Sequence, residues 1–467
     1  MTDDLAMMSA TELVAHYRRK TLSPVEVTQA ALERIEQCDG ALNAFCHLDP
    51  DTTLAAARES EGRWQAGTPQ GLVDGVPTTI KDALLTKGWP TRRGSRTGSA
   101  DGPWDEDGAA TARLRAQGAV LIGKTTTPEY GWKGVTDSPL TGITRNPWNT
   151  ERTPSGSSGG AAAACAVGMG ALHVGTDGAG SIRMPSAFTG IYGLKPTFGR
   201  VPIYPMNMPG TIVHHGPMTR TVADAALMLN VISEPDPRDW TAMPYDPRDW
   251  RVGLEEGVSG LRIAYSRDFG YADVNPEIAE LVEKAAQVFA DLGAIVEETD
   301  PGFEAPYEAF GTYYFLRFRP LVDMMDDAER ELMDPGLVRS VEEYRDKGIA
   351  ESLAADTTRL MLGRHMNLFH QDYDLLISPQ MPLTAFEVGV EVPAGRGMRN
   401  WMDWSPFTYP FNFTQAPAAS VPCGLTSEGL PAAVQIAGPR YREDLVLRAS
   451  RAYESVCPFV MPDLPSA

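Results

Sequence analysis

Histidine, cysteine and positive charge are all scarce in this chain, and each shortage closes off a class of function. The seven histidines, His16, His47, His173, His214, His215, His365 and His370, stand in no triad context. No G-x-S-x-G elbow accompanies them, so a serine–histidine hydrolase is not indicated. The five cysteines, Cys38, Cys46, Cys165, Cys423 and Cys457, are odd in number and show neither C-x-x-C pairs nor metal-ligand spacing. No metal, cofactor or disulfide framework is expected from them. Lys and Arg number 41 against 61 Asp and Glu, a net charge of −20, which disfavours a nucleic acid or an anionic membrane as partner. The first 20 residues carry acidic side chains, Asp4 and Glu12 among them, and no apolar run of the secretory type. The expectation is a cytoplasmic protein with reduced thiols, in which the sequon Asn412-Phe413-Thr414 is unused.

What the chain does hold is a stretch almost without charge or bulk. Thr153 to Pro185 contains eight glycines in 33 residues, with no acidic or basic side chain between Arg152 and Asp177. Its length suits a membrane span, but Gly, Ser and Ala make it too weakly apolar for one. Glycine permits positive φ and close backbone approach, so the stretch reads as buried protein. Two serine clusters lie inside it. Ser155-Gly156-Ser157-Ser158-Gly159-Gly160 runs into an alanine helix over 161–166, and Gly178-Ala179-Gly180-Ser181 follows a short apolar strand over 171–174. Serines on glycine loops at element ends suggest nucleophilic chemistry with backbone N–H groups ready to hold an oxyanion.

These motifs, with the run Gly75-Val76-Pro77-Thr78-Thr79-Ile80-Lys81-Asp82, resemble the amidase signature family. In that family the nucleophilic serine follows a bridging serine by 24 positions, the separation of Ser157 and Ser181 here. The likeness runs on through Gly193-Leu194-Lys195-Pro196 and Gly216-Pro217-Met218 to Pro417-Ala418 and Gln435-Ile436. It implies a single α/β domain over 1–467, a central mixed sheet covered by helices. Within it lie a helical N-terminal region to about 65, a signature core over about 70–220 and a helical substrate-pocket region over about 300–415.

The resemblance also implies roles. Ser181 is the expected nucleophile, Ser157 the bridging serine, usually held by a cis peptide in the family, and Lys81 the base. A lysine can serve as base once burial lowers its pKa from about 10.4. The backbone N–H groups of Gly178, Ala179, Gly180 and Ser181 are the expected oxyanion hole. Ala179 departs from the family's usual glycine, which puts the geometry at that position in question. Ser158, Asp177 and Arg183 are expected to fix the loops, and Gly131 to border the substrate. The expected reaction is hydrolysis of a small carboxylic amide to acid and ammonia or amine. The alternatives are a glutamine-hydrolysing subunit of a tRNA-dependent amidotransferase and a catalytically silent relative. A homo-oligomer is compatible with either.

Read in order, Ser9 with Glu12 and Ser23-Pro24 with Glu26 announce two capped helices. Val27, Ala31 and Ile35 mark the buried stripe of the second. Gly118 to Thr125 matches the phosphate-loop pattern G-x-x-x-x-G-K-T, but its interior, Ala-Val-Leu-Ile, is itself a strand. A phosphate loop needs an irregular amide-donating turn there, so the segment reads as a strand ending in a solvated Lys124. Loops are expected over 191–200 and 216–219, and a surface excursion over 234–256 that is the nearest approach to an internal boundary. Aromatic side chains crowd 307–318 and 401–413, and an apolar acyl pocket lined partly by Trp401 and Trp404 is expected, favouring aryl or medium aliphatic amides.

Overall fold

The computed structural model of the chain describes residues 4–98, 100–206 and 208–465. Its N-terminal helices begin where the capping residues require. Ser9 and Ser23 accept backbone N–H groups at the starts of α1 (Ala10–Arg19) and α2 (Pro24–Leu42), and Glu12 and Glu26 return the bond. Val27, Ala31 and Ile35 of α2 are buried.

The elements then follow in alternation: β1 (Phe45–Leu48), α3 (Pro50–Ala66), β2 (Pro77–Lys81), α4 (Ala109–Ala116) and β3 (Val120–Thr125). A ribbon of β4 (Asp137–Ser138) and β5 (Gly142–Ile143) leads to α5 (Gly159–Ala166), β6 (Leu172–Asp177), α6 (Arg183–Thr189), β7 (Tyr192–Lys195), β8 (His214–Thr219) and α7 (Val222–Ile232). A further unit of β9 (Arg262–Tyr265), α8 (Pro276–Asp291) and β10 (Ile295–Glu298) precedes four helices, α9 (Tyr307–Met324), α10 (Asp327–Leu332), α11 (Pro335–Glu343) and α12 (Ile349–Phe369). The chain closes with β11 (Leu375–Pro379), α13 (Tyr409–Phe413), β12 (Ala418–Leu425), β13 (Pro431–Ala437) and α14 (Glu443–Val456).

Eleven strands form one mixed sheet in the order β1-β3-β2-β6-β8-β7-β12-β13-β11-β9-β10. The triplets β3-β2-β6 and β11-β9-β10 are parallel, and the remaining neighbours are antiparallel. Strands β2, β3, β6, β7, β8, β11 and β13 are buried at every residue, as a sheet covered on both faces requires. The fold is thus a single α/β domain in which first and last strands share one sheet.

Two expectations give way here, the loops and the solvated lysine. Of the segments read as loops, 191–200 contains the central strand β7 and 216–219 is the greater part of the central strand β8, and their Gly and Pro residues hid them. The excursion over 234–256 runs largely along the surface and is anchored by Trp250, buried beneath the guanidinium groups of Arg200 and Arg248. Lys124 does lie on a strand, but it is fully buried. Its side chain lies 3.3 Å from Asp82 and donates to Leu84 O at 2.9 Å. The register sets Lys124 beside Ile80 and Thr125 beside Lys81, so the two lysines of this sheet region leave it on opposite faces.

Candidate active site

Parallel pairing puts the carboxyl ends of β2 and β6 side by side, with Ile80 opposite Val174. Lys81 ends β2, and Thr176 and Asp177 end β6. Between these strands in sequence, the glycine loop before α5 brings Ser157 and Ser158 over the same point. Lys81 Nζ consequently meets three hydroxyls, Ser157 Oγ at 2.7 Å, Thr176 Oγ1 at 2.8 Å and Ser158 Oγ at 2.9 Å. The Gly156–Ser157 peptide is cis.

Lys81 is fully buried and lies in no ion pair among the described residues. Burial pushes its ammonium down to about 7, although the Asp177 charge works in the other direction. Near neutral pH the ammonium and the amine are therefore close in free energy. Ser158 cannot serve as the proton donor to that amine, since its own hydroxyl donates to Thr176 O at 3.2 Å while accepting from Thr176 N. Its oxygen is an acceptor for a lysine N–H.

Ser181 sits at the turn into α6, 6% exposed. Its carbonyl accepts from Ser158 N at 3.2 Å, which ties the two serine loops together. Asp177 shapes the turn from within. Its carboxylate accepts from Gly180 N at 2.7 Å and Ile182 N at 3.3 Å, and from Arg183 Nε at 2.9 Å. Burial alone would raise this carboxyl, but the adjoining Arg183 guanidinium, with Lys195 and Asn412, holds it well below the usual carboxylate range. Arg183 also reaches Gln435 Oε1 at 2.8 Å, Asn412 Oδ1 at 2.7 Å and Thr408 O at 3.0 Å. Asn412 completes the frame by donating to Asp177 Oδ1 at 2.9 Å.

Of the four amides expected to hold an oxyanion, that of Gly180 already donates to Asp177. The N–H groups of Gly178, Ala179 and Ser181 carry no hydrogen bond among the described residues. The departure at Ala179 is accommodated, because its φ lies outside the left-handed region. Gly180 is the residue with no latitude. Its φ is +127°, and a Cβ there would stand 2.6 Å from the Cβ of Thr408. Gly131, at φ +68°, lies where a Cβ would come within 3.2 Å of Ser157 Oγ. It therefore borders the loop serine that Lys81 contacts.

The aromatic side chains divide. Tyr314 of α9 donates to Trp132 O at 3.1 Å, and its ring edge lies 3.8 Å from the Cβ position of Gly178. Trp401 contacts Tyr314 edge to face at 5.6 Å. Trp404 packs instead between Phe188 and Phe386 with its indole N–H on Glu391 O, a core position. Thr176 and Thr408 had no signal in their own sequence neighbourhoods, Asn412 was noted only as part of an unused sequon, and Tyr314 only as one of the aromatic side chains crowding 307–318. Gln435 lay in a quoted motif, without a role.

A single α/β domain on a mixed sheet of 11 strands matches the structures of amidase signature enzymes, and the comparisons make this chain an enzyme of that class, hydrolysing carbon–nitrogen bonds outside peptides. The family model described as Amidase matches residues 26–447. The chain is 36% identical over 465 residues to an acylamidase of Rhodococcus erythropolis, covering 98% of this chain and 97% of that protein. It is 34% identical over 478 residues to a glutamyl-tRNA(Gln) amidotransferase subunit of Chloroflexus aurantiacus, covering 97% of each. Among solved structures, a bacterial aryl acylamidase of the amidase signature family superposes with a TM-score of 0.88 at 34% identity, over 97% of this chain and 96% of that one. This chain belongs to the amidase family.

Proposed function

We propose that the chain hydrolyses a small carboxylic amide through an acyl-enzyme on Ser181. The observation that carries this reading is Lys81, buried without a carboxylate partner and 2.7 Å from Ser157 Oγ. A neutral amine has two N–H bonds and one lone pair. Ser158 and Thr176 can accept the two N–H bonds, which leaves the lone pair for the Ser157 hydroxyl. Ser181 Oγ attacks the carbonyl carbon as its proton passes to Ser157 Oγ, whose own proton passes to Lys81 Nζ. The amides of Gly178, Ala179 and Ser181 hold the developing oxyanion. The relay then runs backward, the leaving nitrogen takes the proton, and water releases the acid from Ser181 by the same route. Asp177 and Arg183 keep the loop in shape and touch no reacting atom in this scheme.

The acyl side is assigned to apolar groups, because the ring of Tyr314, backed by Trp401, lies beside Gly178. The similarity to an acylamidase and an aryl acylamidase supports aryl or medium aliphatic amides. A second reading, glutamine hydrolysis within an amidotransferase, is favoured by the full-length similarity to the Chloroflexus protein. The net charge of −20 disfavours direct tRNA contact, which a partner subunit could supply. The test is kcat/KM of the purified chain over acetamide, hexanamide, phenylacetamide and glutamine. Preference for phenylacetamide or hexanamide, abolished in Ser181→Ala, supports the first reading. Preference for glutamine establishes the second, and absence of activity on every amide overturns both for the chain alone.

A further inference from the structure

The turn that carries Gly131 past Ser157 has an unfavourable backbone shape. Tyr130 and Gly131 both have left-handed φ values, +52° and +68°, and that conformation at a tyrosine persists only where its surroundings over-determine it. The carbonyls of Gly131 and Trp132 accept from the hydroxyl of Tyr314 at 3.3 and 3.1 Å. Asp334, 202 positions beyond Trp132, holds the next stretch with a single carboxylate oxygen. Its Oδ2 accepts from the Trp132 indole N–H at 3.2 Å and from Lys133 Nζ at 2.8 Å. Its backbone N–H donates to Oε2 of the fully buried Glu129 at 2.6 Å, and Glu129 in turn accepts from Ser95 Oγ at 2.6 Å.

The two oxygens of Asp334 have separate tasks. Oδ1 accepts from Gly336 N at 2.8 Å and so caps α11. A cap needs no charge, and serine or asparagine would supply one. Oδ2 meets only donors, one of them a cation whose side chain is 8% exposed. An asparagine could cap α11 or accept from Trp132 and Lys133, but its single oxygen could not do both. The helix thus explains half of this carboxylate, and the other half is spent on the turn. Trp132 is fully buried, and a Cβ at Gly336 would stand 2.8 Å from its ring, so the start of α11 closes directly onto the turn.

We infer that Asp334 is a positioning residue for the reaction: through Trp132 and Lys133 it keeps Gly131 against the Ser157 hydroxyl and limits where that hydroxyl can point. In the relay proposed for this site, on which this role rests, Ser157 Oγ must face Ser181 and Lys81 in turn. Gly131 is close enough to matter, since a Cβ there would stand 3.2 Å from Ser157 Oγ. A turn relaxed by about 1 Å gives the hydroxyl room to leave that line. Tyr314 and Asp334 both belong to the helical region that follows β10. The wall assigned to the acyl group and the proton relay are therefore fastened to one turn.

The test compares the wild type with Asp334→Ser and Lys133→Met, by the rate of Ser181 labelling with a fluorophosphonate and by turnover of the amide the wild type prefers. Serine still caps α11 but is too short to reach Trp132 or Lys133. Asp334→Ser is expected to slow labelling and lower kcat by roughly tenfold or more, with KM within about twofold and one label still taken up per chain. Adding Lys133→Met should cost little more, because the two side chains form one brace. Were Asp334 only structural, the labelled fraction would drop while the remaining sites reacted at the wild-type rate. That result, wild-type labelling in Asp334→Ser, losses that add in the double variant, or a raised KM at unchanged kcat would overturn the assignment. Should Asp334→Ser fail to fold, Lys133→Met, which leaves the cap in place, decides on the same readouts. A wild type that is neither labelled nor active removes the relay itself, and this role with it.

Discussion

Lys81 Nζ lies 2.7 Å from Ser157 Oγ across 76 positions of sequence, a contact made by the parallel pairing of β2 with β6 and by the turn before α5. With the ammonium brought down to about 7 by burial, only the deprotonated form accepts a proton. We therefore expect kcat/KM to rise with pH through about 7 and to stay high above it. Lys81→Ala should lower kcat/KM by roughly 10²- to 10⁴-fold with circular dichroism retained. Wild-type rates in that variant, or a profile flat across neutrality, would remove Lys81 from the mechanism.

A fluorophosphonate probe followed by peptide mapping should label Ser181 and leave Ser155, Ser157 and Ser158 unmodified. Ser155 Oγ donates to Gly134 O at 2.9 Å and Ser158 Oγ to Thr176 O, so both hydroxyls are engaged in holding the loop. Modification of the active enzyme at another serine contradicts the assignment.

Two neighbouring substitutions should behave oppositely. Ala179→Gly leaves the loop able to keep its φ, and activity should change by less than about threefold. Gly180→Ala drives a methyl group to 2.6 Å from Thr408 Cβ at a φ of +127°, and activity should fall by roughly 100-fold or more. Equal tolerance at both positions would show that this turn is not what orders the site.

Asp177→Asn leaves the Arg183 guanidinium buried without its counter-charge. A loss of about 3–5 kcal/mol in urea unfolding is expected at neutral pH. The folded carboxyl is depressed, so its stabilisation is fully present above the unfolded value of about 3.9 and is lost as pH falls through the folded one. The gap between wild type and variant should hold from neutrality down to about pH 4 and narrow only below it. A gap that widened in acid would refute the charge account.

Tyr314→Ala removes the ring beside Gly178. The expected outcome is a fall in kcat/KM for phenylacetamide roughly tenfold greater than for acetamide. A uniform fall across both amides would assign Tyr314 to holding Gly131 and Trp132, whose carbonyls its hydroxyl contacts.

The residues proposed to react were legible as candidates because they sit in short motifs whose spacing is itself the signal, as with Ser157 and Ser181. Capped helices were legible for the same local reason: Ser9 with Glu12 states its own geometry. Strands β7 and β8 were not, since they are central strands built partly of Gly and Pro and depend on neighbours for their pairing. Lys124 read as solvated because its counter-ion Asp82 lies beyond the end of the adjacent strand β2. The surroundings of Asp177 were only half legible. Arg183 is six residues away, while Asn412 and Gln435 come from the far end of the chain. Trp401 and Trp404 were indistinguishable in sequence, and packing alone sends one to Tyr314 and the other to Phe188.

The bond from Arg183 to Gln435 spans 252 positions and ends on β13, a strand enclosed by β12 and β11. A growing polypeptide thus exposes Lys81, Ser157 and Ser181 while the support for their loop is still unsynthesised. A fragment that ends between Arg183 and Gln435 holds the side chains proposed to react and lacks the bond from Arg183 to Gln435. Under the proposed mechanism, hydrolytic competence is expected only once β13 has joined the sheet.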